Sequence, residues 1–232
     1  VSLCNDWLAE APFEGLVDID PKTGEIVHTL ALTKDFPIDA FQRKANEAIV
    51  NGKHSFDQAA YAAVSILDGT SPKKGWNFPW SESETGLQAI LKKRKCPSKL
   101  EQAFMGFGFY LVGMQAGSPK KLARIVAQMA NQKHSIGFSV CSKMGTIVFE
   151  NISVVGQAGF LPTSDGYLTN GGIEIVRSAP GSEVSFDLKS GYLAPAFEKG
   201  SLLENVYAIE AIQVFLESAL LVTDTLEAVV AK

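Results

Sequence analysis

The residues with the most chemistry in this 232-residue chain are its cations. Lys92, Lys93, Arg94 and Lys95 run together, Lys99 follows, and Lys120, Lys121 and Arg124 come one short stretch later. With Lys133 and Lys143 they make ten cations between Thr85 and Phe149, against the single acid Glu101, a net +9. The whole chain is −4, so the remainder holds 11 cations and 24 acids, a net −13. Gathered like charges cost folding free energy unless an anion offsets them. Four adjacent cations cannot all lie on one helix face, so part of the 92–95 run projects into solvent. Alone it reads first as a solvated helix end, with a nuclear-import address and a site for phosphates as the competing readings. The second cluster turns the balance. Lys120 and Arg124 are i,i+4 neighbours on a helix, Lys121 and Arg124 are i,i+3, and two such clusters on one face point to a polyanion, most simply an RNA or DNA backbone. Trp76, Phe78 and Trp80 lie on a proline-containing loop, where they either pack into a core or offer stacking platforms for bases. Neither a zinc-finger spacing nor the aromatic signature of a sheet-type RNA binder occurs, so the signal is electrostatic and nonspecific.

Nucleophilic and metal chemistry have less to stand on. The histidines are His28 in a strand pattern, His54 near Asp57, and His134, seven residues before Cys141. Cys141 sits among alternating strand residues, where a small buried thiol is the plainer reading. No His, Cys and carboxylate set has metal-ligand spacing, and GFGF at 106–109 lacks the strand-loop-helix setting of a phosphate loop. No cofactor is implied. Cys4, Cys96 and Cys141 are few, odd in number and far apart, which favours free thiols and a reducing compartment over a disulfide framework. The opening VSLCNDWLAEAPFEG shows no secretory pattern, Asn151-Ile152-Ser153 reads as a chance sequon, and no apolar run is long enough to span a membrane.

The elements that must position these residues follow from periodicity and punctuation. Residues 14–33 read as a hairpin turning at Asp20-Pro21-Lys22-Thr23-Gly24. A helix is expected from Ile38 to Val50, stopped by Asn51-Gly52, and another from a capping box at Ser55 and Gln58 to Gly69. The loop 70–83 is the best boundary. Capping boxes at Ser81/Glu84 and Ser98/Glu101 and the break at Gly117-Ser118-Pro119 predict three helices, the central one running through Gly106, Gly108 and Gly113. After His134, β-branched and aromatic alternation predicts four or five antiparallel strands with a turn at Asn170-Gly171-Gly172. A capping box at Ser201/Glu204 then opens a long apolar C-terminal helix or helix pair, with Glu210, Glu217 and Asp224 on one narrow face.

The expectation is an α+β protein: a helix-rich basic middle segment, an antiparallel sheet in the C-terminal half and a long apolar C-terminal helix. It is read as one domain over 1–232, with a subdivision near 70–83 separating a hairpin plus two helices (1–69) from the rest (84–232). The expected function is non-enzymatic: an intracellular, cytoplasmic or nuclear, RNA- or DNA-binding protein that forms homo-oligomers, the physical character of viral capsid, nucleocapsid and matrix proteins. The nucleic-acid contacts expected are Lys92, Lys93, Arg94, Lys95, Lys99, Lys120, Lys121, Arg124, Trp76 and Trp80, and self-association is placed around Val214, Leu221 and Val222. The alternative is a small-molecule hydrolase or transferase.

Overall fold

A computed structural model describes residues 6, 7, 9, 10, 13–69, 76–112, 118–131, 140–160, 172–197, 203 and 206–232. Expectations placed on Cys4, Lys133, His134, Ser201, Glu204, the Asn170-Gly171 turn and the side chains of Cys141 and Lys143 lie outside the described residues. The fold is α+β, with helices and antiparallel sheets. No described helix is long and apolar enough to cross a membrane. The chain divides into two compact units, each assembled from separated stretches: 1–41 with 140–198 and 207–209, and 42–139 with 199–206 and 210–232. The first contains 5 cations and 14 acids, a net −9; the second contains 16 cations and 11 acids, a net +5. The bipolarity of the sequence is a division between folded units.

The acidic unit is built on sheets. Strand β1 (Phe13–Ile19) pairs antiparallel with β2 (Ile26–Leu32) around a turn in which Gly24 takes φ +73° and the Asp20 amide donates to the Glu25 carbonyl at 2.9 Å. Strands β3 (Val140–Val155) and β6 (Glu183–Phe197) form a separate two-stranded ribbon, while β4 (Ala158–Phe160) and β5 (Ile173–Ser178) extend the hairpin into a four-stranded sheet of order β1-β2-β5-β4. The expected C-terminal sheet is thus two sheets, one of which recruits the N-terminal hairpin. Its core is Leu30, Ile175 and Val176, against which Phe13, Ile173, Val184 and Phe186 pack. Arg177 ties the hairpin turn to β5: Nη1 donates to Asp20 Oδ2 and Glu25 Oε2, both at 2.9 Å, and Nε and Nη2 donate to Glu174 at 2.8 and 2.9 Å.

Those contacts set a pH dependence with two steps. Hydrogen bonds from Arg177 hold the carboxyls of Asp20 and Glu25 below their ordinary values. A lowered carboxylate pKa stabilises the fold above the ordinary carboxylate range, and the contribution is lost as pH falls through and below about 4. His28, 8% exposed and edge-on to Phe186 at 5.7 Å, has its pKa lowered by burial. The fold therefore disfavours its cation and loses stability as pH falls below about 6.5, where the unfolded chain takes up the proton. Urea midpoints measured from pH 8 to pH 3 should fall in both windows, His28→Leu removing the upper step and Arg177→Gln weakening the lower.

The basic unit is helical. Helix α1 (Ile38–Asp68) runs unbroken through Asn51-Gly52, where two helices were expected. Gly52 is buried, and a Cβ there would lie 2.9 Å from side-chain atoms of both Phe215 and Leu216, so the glycine serves close helix approach and stops nothing. Ser55, expected as a cap, lies inside α1 and its hydroxyl donates to the Asn51 carbonyl at 3.1 Å. Helix α2 (Glu84–Lys93) is capped by Ser83, whose Oγ accepts from the Gly86 amide at 3.1 Å, two residues later than expected. Helix α3 (Ser98–Phe107) ends at Gly108, which takes φ +64°, a left-handed stop in place of the expected passage through three glycines. Helix α4 (Pro119–Asn131) and helix α5 (Ala208–Val230) complete the unit. Ala211, Phe215, Ala219, Val222 and Leu226 form the buried row of α5, while Leu216, Leu220 and Leu221 are 39%, 63% and 57% exposed. Val222, assigned from sequence to a surface for self-association, is fully buried.

Candidate polyanion-binding face

All ten residues singled out from the sequence belong to the basic unit, and they separate into three kinds. Trp80 belongs to an aromatic core: its ring lies 4.8 Å from Phe56 and 4.6 Å from Phe78, and Phe56 also meets Phe109 at 5.9 Å and Phe215 at 5.3 Å. Trp76 is half-buried against Phe104 at 5.9 Å. Both rings are turned to packing, which is what loop aromatics do when the loop crosses an apolar surface.

The two arginines act as clamps. Arg124 is 7% exposed; Nε donates to the Ser81 carbonyl at 3.1 Å, Nη2 to Glu82 Oε1 at 2.7 Å, and the guanidinium lies 6.0 Å over the Trp80 ring. Arg94 donates to the Asn77 carbonyl at 2.6 Å and lies 5.3 Å over Trp76. Each pins the 76–83 loop to a helix, using a planar cation that bonds at its edge and stacks on its face. Burial lowers the Arg94 pKa, yet an arginine stays charged at any physiological pH. Sequence reasoning missed Glu82, the partner of Arg124, because it lies 42 residues away and just outside the segment whose charges stand out.

The lysines of this set are not paired with acids among the described residues. Lys92, Lys93, Lys95, Lys99 and Lys120 are exposed, Lys121 is half-buried, and none of these six makes an ion pair among the described residues. Lys92 and Lys93 close the last turn of α2, where the helix dipole favours cations. Lys95 follows in a Schellman turn: the Cys96 amide donates to the Leu91 carbonyl at 3.0 Å and the Lys95 amide to the Lys92 carbonyl at 3.1 Å, with Lys95 at φ +54°. That position is ordinarily glycine, and a residue with a Cβ costs about 1 kcal/mol there. At the far end of α3, Lys120 Nζ donates to the Gly106 carbonyl at 3.4 Å.

Helix α3 sets the clusters on either side of one ridge. Its buried face is Leu100, Phe104 and Phe107, so Ser98 and Gln102 point to solvent. On one flank, Glu101 and Met105 face a hollow shared with Lys92, Lys95 and Gln88 of the α2 segment, about 640 Å³ in volume. On the other, Ala103 and Gly106 face a hollow of about 640 Å³ shared with Phe107, Phe109, Lys120 and Leu221. Lys99 lies on this second flank, seven residues and so about 10 Å along the axis from Gly106. Cys96, which lines the first hollow, has its thiol pushed up to about 12, by burial first and then by Glu101. It is protonated at neutral pH and no nucleophile. His54 is exposed, and the Asp57 carboxylate near it is occupied by Lys53 at 3.0 Å and the Phe78 amide at 3.0 Å. Comparison with protein-family models, with curated proteins and with solved structures finds no match to this chain.

Proposed function

We propose that this is a non-enzymatic structural protein that binds a polyanion, RNA or DNA backbone, across the α3 ridge and assembles with copies of itself, in the manner of capsid, nucleocapsid or matrix proteins. An intracellular setting, cytoplasmic or nuclear, belongs to the same reading. The observation that carries it is Lys95. A lysine stands where the backbone favours glycine, among exposed lysines that make no ion pair among the described residues, so its side chain is held there at a local conformational cost. Two lysine-bearing hollows flank a crest of Ser98 and Gln102, and a backbone that crosses α3 would set phosphates against Lys92 and Lys95 on one side, where Glu101 is the opposing charge, and Lys120 on the other. Lys120 and Leu221 line one hollow together, which puts the anion contact beside the exposed leucines of α5 and supports coupling of binding to assembly.

The test uses opposite signs. Lys95→Gly should raise stability by about 1 kcal/mol in urea unfolding while weakening binding of a fluorescent single-stranded oligonucleotide. With about five phosphates neutralised, log Kd should rise against log salt with a slope of about 3.5, and Lys92→Ala with Lys93→Ala and Lys95→Ala should reduce that slope by about 2. Binding absent at low salt, or indifferent to these substitutions, removes the proposal.

A further inference from the structure

The acidic unit presents a second surface that polyanion binding leaves unused. Strand β1 is at the margin of its sheet, and every residue from Glu14 to Ile19 is exposed. Leu16, Val17 and Ile19 are exposed by 46%, 65% and 63%. The Asp20–Glu25 hydrogen bond fixes the ladder: Asp18, Leu16 and Glu14 bond to β2, so the amides and carbonyls of Gly15, Val17 and Ile19 point away from the sheet. The Ile19 amide confirms this direction, being held by Asp18 Oδ1 at 2.8 Å. Gly15 and Val17 have no such partner among the described residues. Side chains alternate accordingly. Val17 and Ile19 lie on the face of their β2 partners His28 and Ile26, the face that carries Leu30 and the core; Glu14, Leu16 and Asp18 lie on the other. An open edge of this length with apolar side chains is a template for strand addition.

We propose that β1 is the docking edge for a basic, extended segment of another protein, which adds to the sheet as a fifth strand. Charge selects the occupant. Charge weighs against a second copy as the strand partner: antiparallel pairing about a two-fold at Leu16 sets Glu14 opposite Asp18 twice, a two-fold at Val17 sets Glu14 opposite Asp20 twice, and a two-fold at Gly15, which avoids such pairs, leaves Asp18 and Ile19 beyond the paired strand. The complementary strand has lysine or arginine opposite Glu14 and Asp18 and apolar residues opposite Val17 and Ile19, which reads apolar, basic, apolar, any, apolar, basic. This chain does not supply that pattern itself. Its only cations four apart are Lys95 with Lys99, interrupted by Pro97, and Lys120 with Arg124, within or at the start of α4. Main-chain bonds to Gly15 and Val17 give the affinity, and the alternating side chains give the specificity.

The probe is a labelled hexapeptide Val-Lys-Val-Thr-Val-Lys, titrated into the full chain by fluorescence anisotropy, beside the same peptide N-methylated at the amides that face β1. The expected result is saturable binding, lost on methylation and weakened at least tenfold by Glu14→Lys with Asp18→Lys. Val17→Pro should abolish it while keeping the fold, since the Val17 amide makes no bond within the sheet. Failure of the unmodified peptide to bind overturns the proposal. So does equal binding of the methylated peptide, which would reduce the contact to charge attraction and which decides the matter even where Val17→Pro disturbs folding. A wild-type dimer that Val17→Pro dissociates would assign the edge to a second copy and equally overturn it.

Discussion

Phe56→Ala should destabilise the basic unit by about 3–5 kcal/mol. Phe56 is fully buried and is the one ring in contact with Phe78, Trp80, Phe109 and Phe215 together, so it joins α1, the 76–83 loop, the segment after α3 and α5. Removing it takes away the transfer free energy of a large side chain and leaves a void that the surrounding rings cannot fill without leaving their own contacts. Phe56→Leu, which keeps most of the volume, should cost well under half as much. Urea unfolding followed by near-ultraviolet circular dichroism distinguishes the two variants, and tryptophan emission reports the same event because the Trp80 ring lies 4.8 Å from Phe56. Equal stability of Phe56→Ala and wild type would mean that the loop is held by its arginine clamps rather than by its aromatics.

What the sequence shows of this arrangement is local, and what it hides is set by distant parts of the chain. The β1–β2 turn was legible because Pro21 and Gly24 carry its backbone angles themselves, and helix α4 because Pro119 can only begin a helix. Asn51-Gly52 misled for a physical reason: glycine ends an isolated helix on conformational grounds, but α1 is not isolated, and Phe215 and Leu216 lie where a Cβ would stand. The pairing of β2 with β5 could not be read because the strands are about 145 residues apart and alternation fixes a strand's faces, never its neighbour. The basic face was legible as charge and illegible as geometry. Ten cations stand out in any count, but only the fold separates Arg94 and Arg124, committed to loop carbonyls and rings, from the lysines left in solvent.

Replacing Leu220 and Leu221 together with glutamine should shift the protein to smaller species in light scattering, an effect of about 3–6 kcal/mol per contact if both side chains are covered in the assembly. These leucines, with Leu216, are exposed on α5 beside Glu217, while the opposite row of Phe215, Ala219 and Val222 is buried, so the substitutions remove surface and leave the helix's own packing intact. Charge alone would not hold copies together. Exposed ion pairs contribute about 0–1 kcal/mol each and weaken with salt, so in the proposed assembly attraction between the −9 and +5 units of different copies would orient an encounter that apolar burial must then stabilise. Leu221 and Lys120 share one hollow, so on the proposed function the assembly would be coupled to the anion. A bound phosphate backbone offsets the lysine charge that would otherwise oppose a second copy at that place, so the oligonucleotide should increase the size of the wild-type species and should fail to do so for Leu220→Gln with Leu221→Gln, although that variant still binds it. Circular dichroism equal to wild type establishes that the helix survives. A wild-type monomer at high concentration, with and without the oligonucleotide, would leave the α5 leucines as unpartnered surface and remove the assembly half of the proposed function.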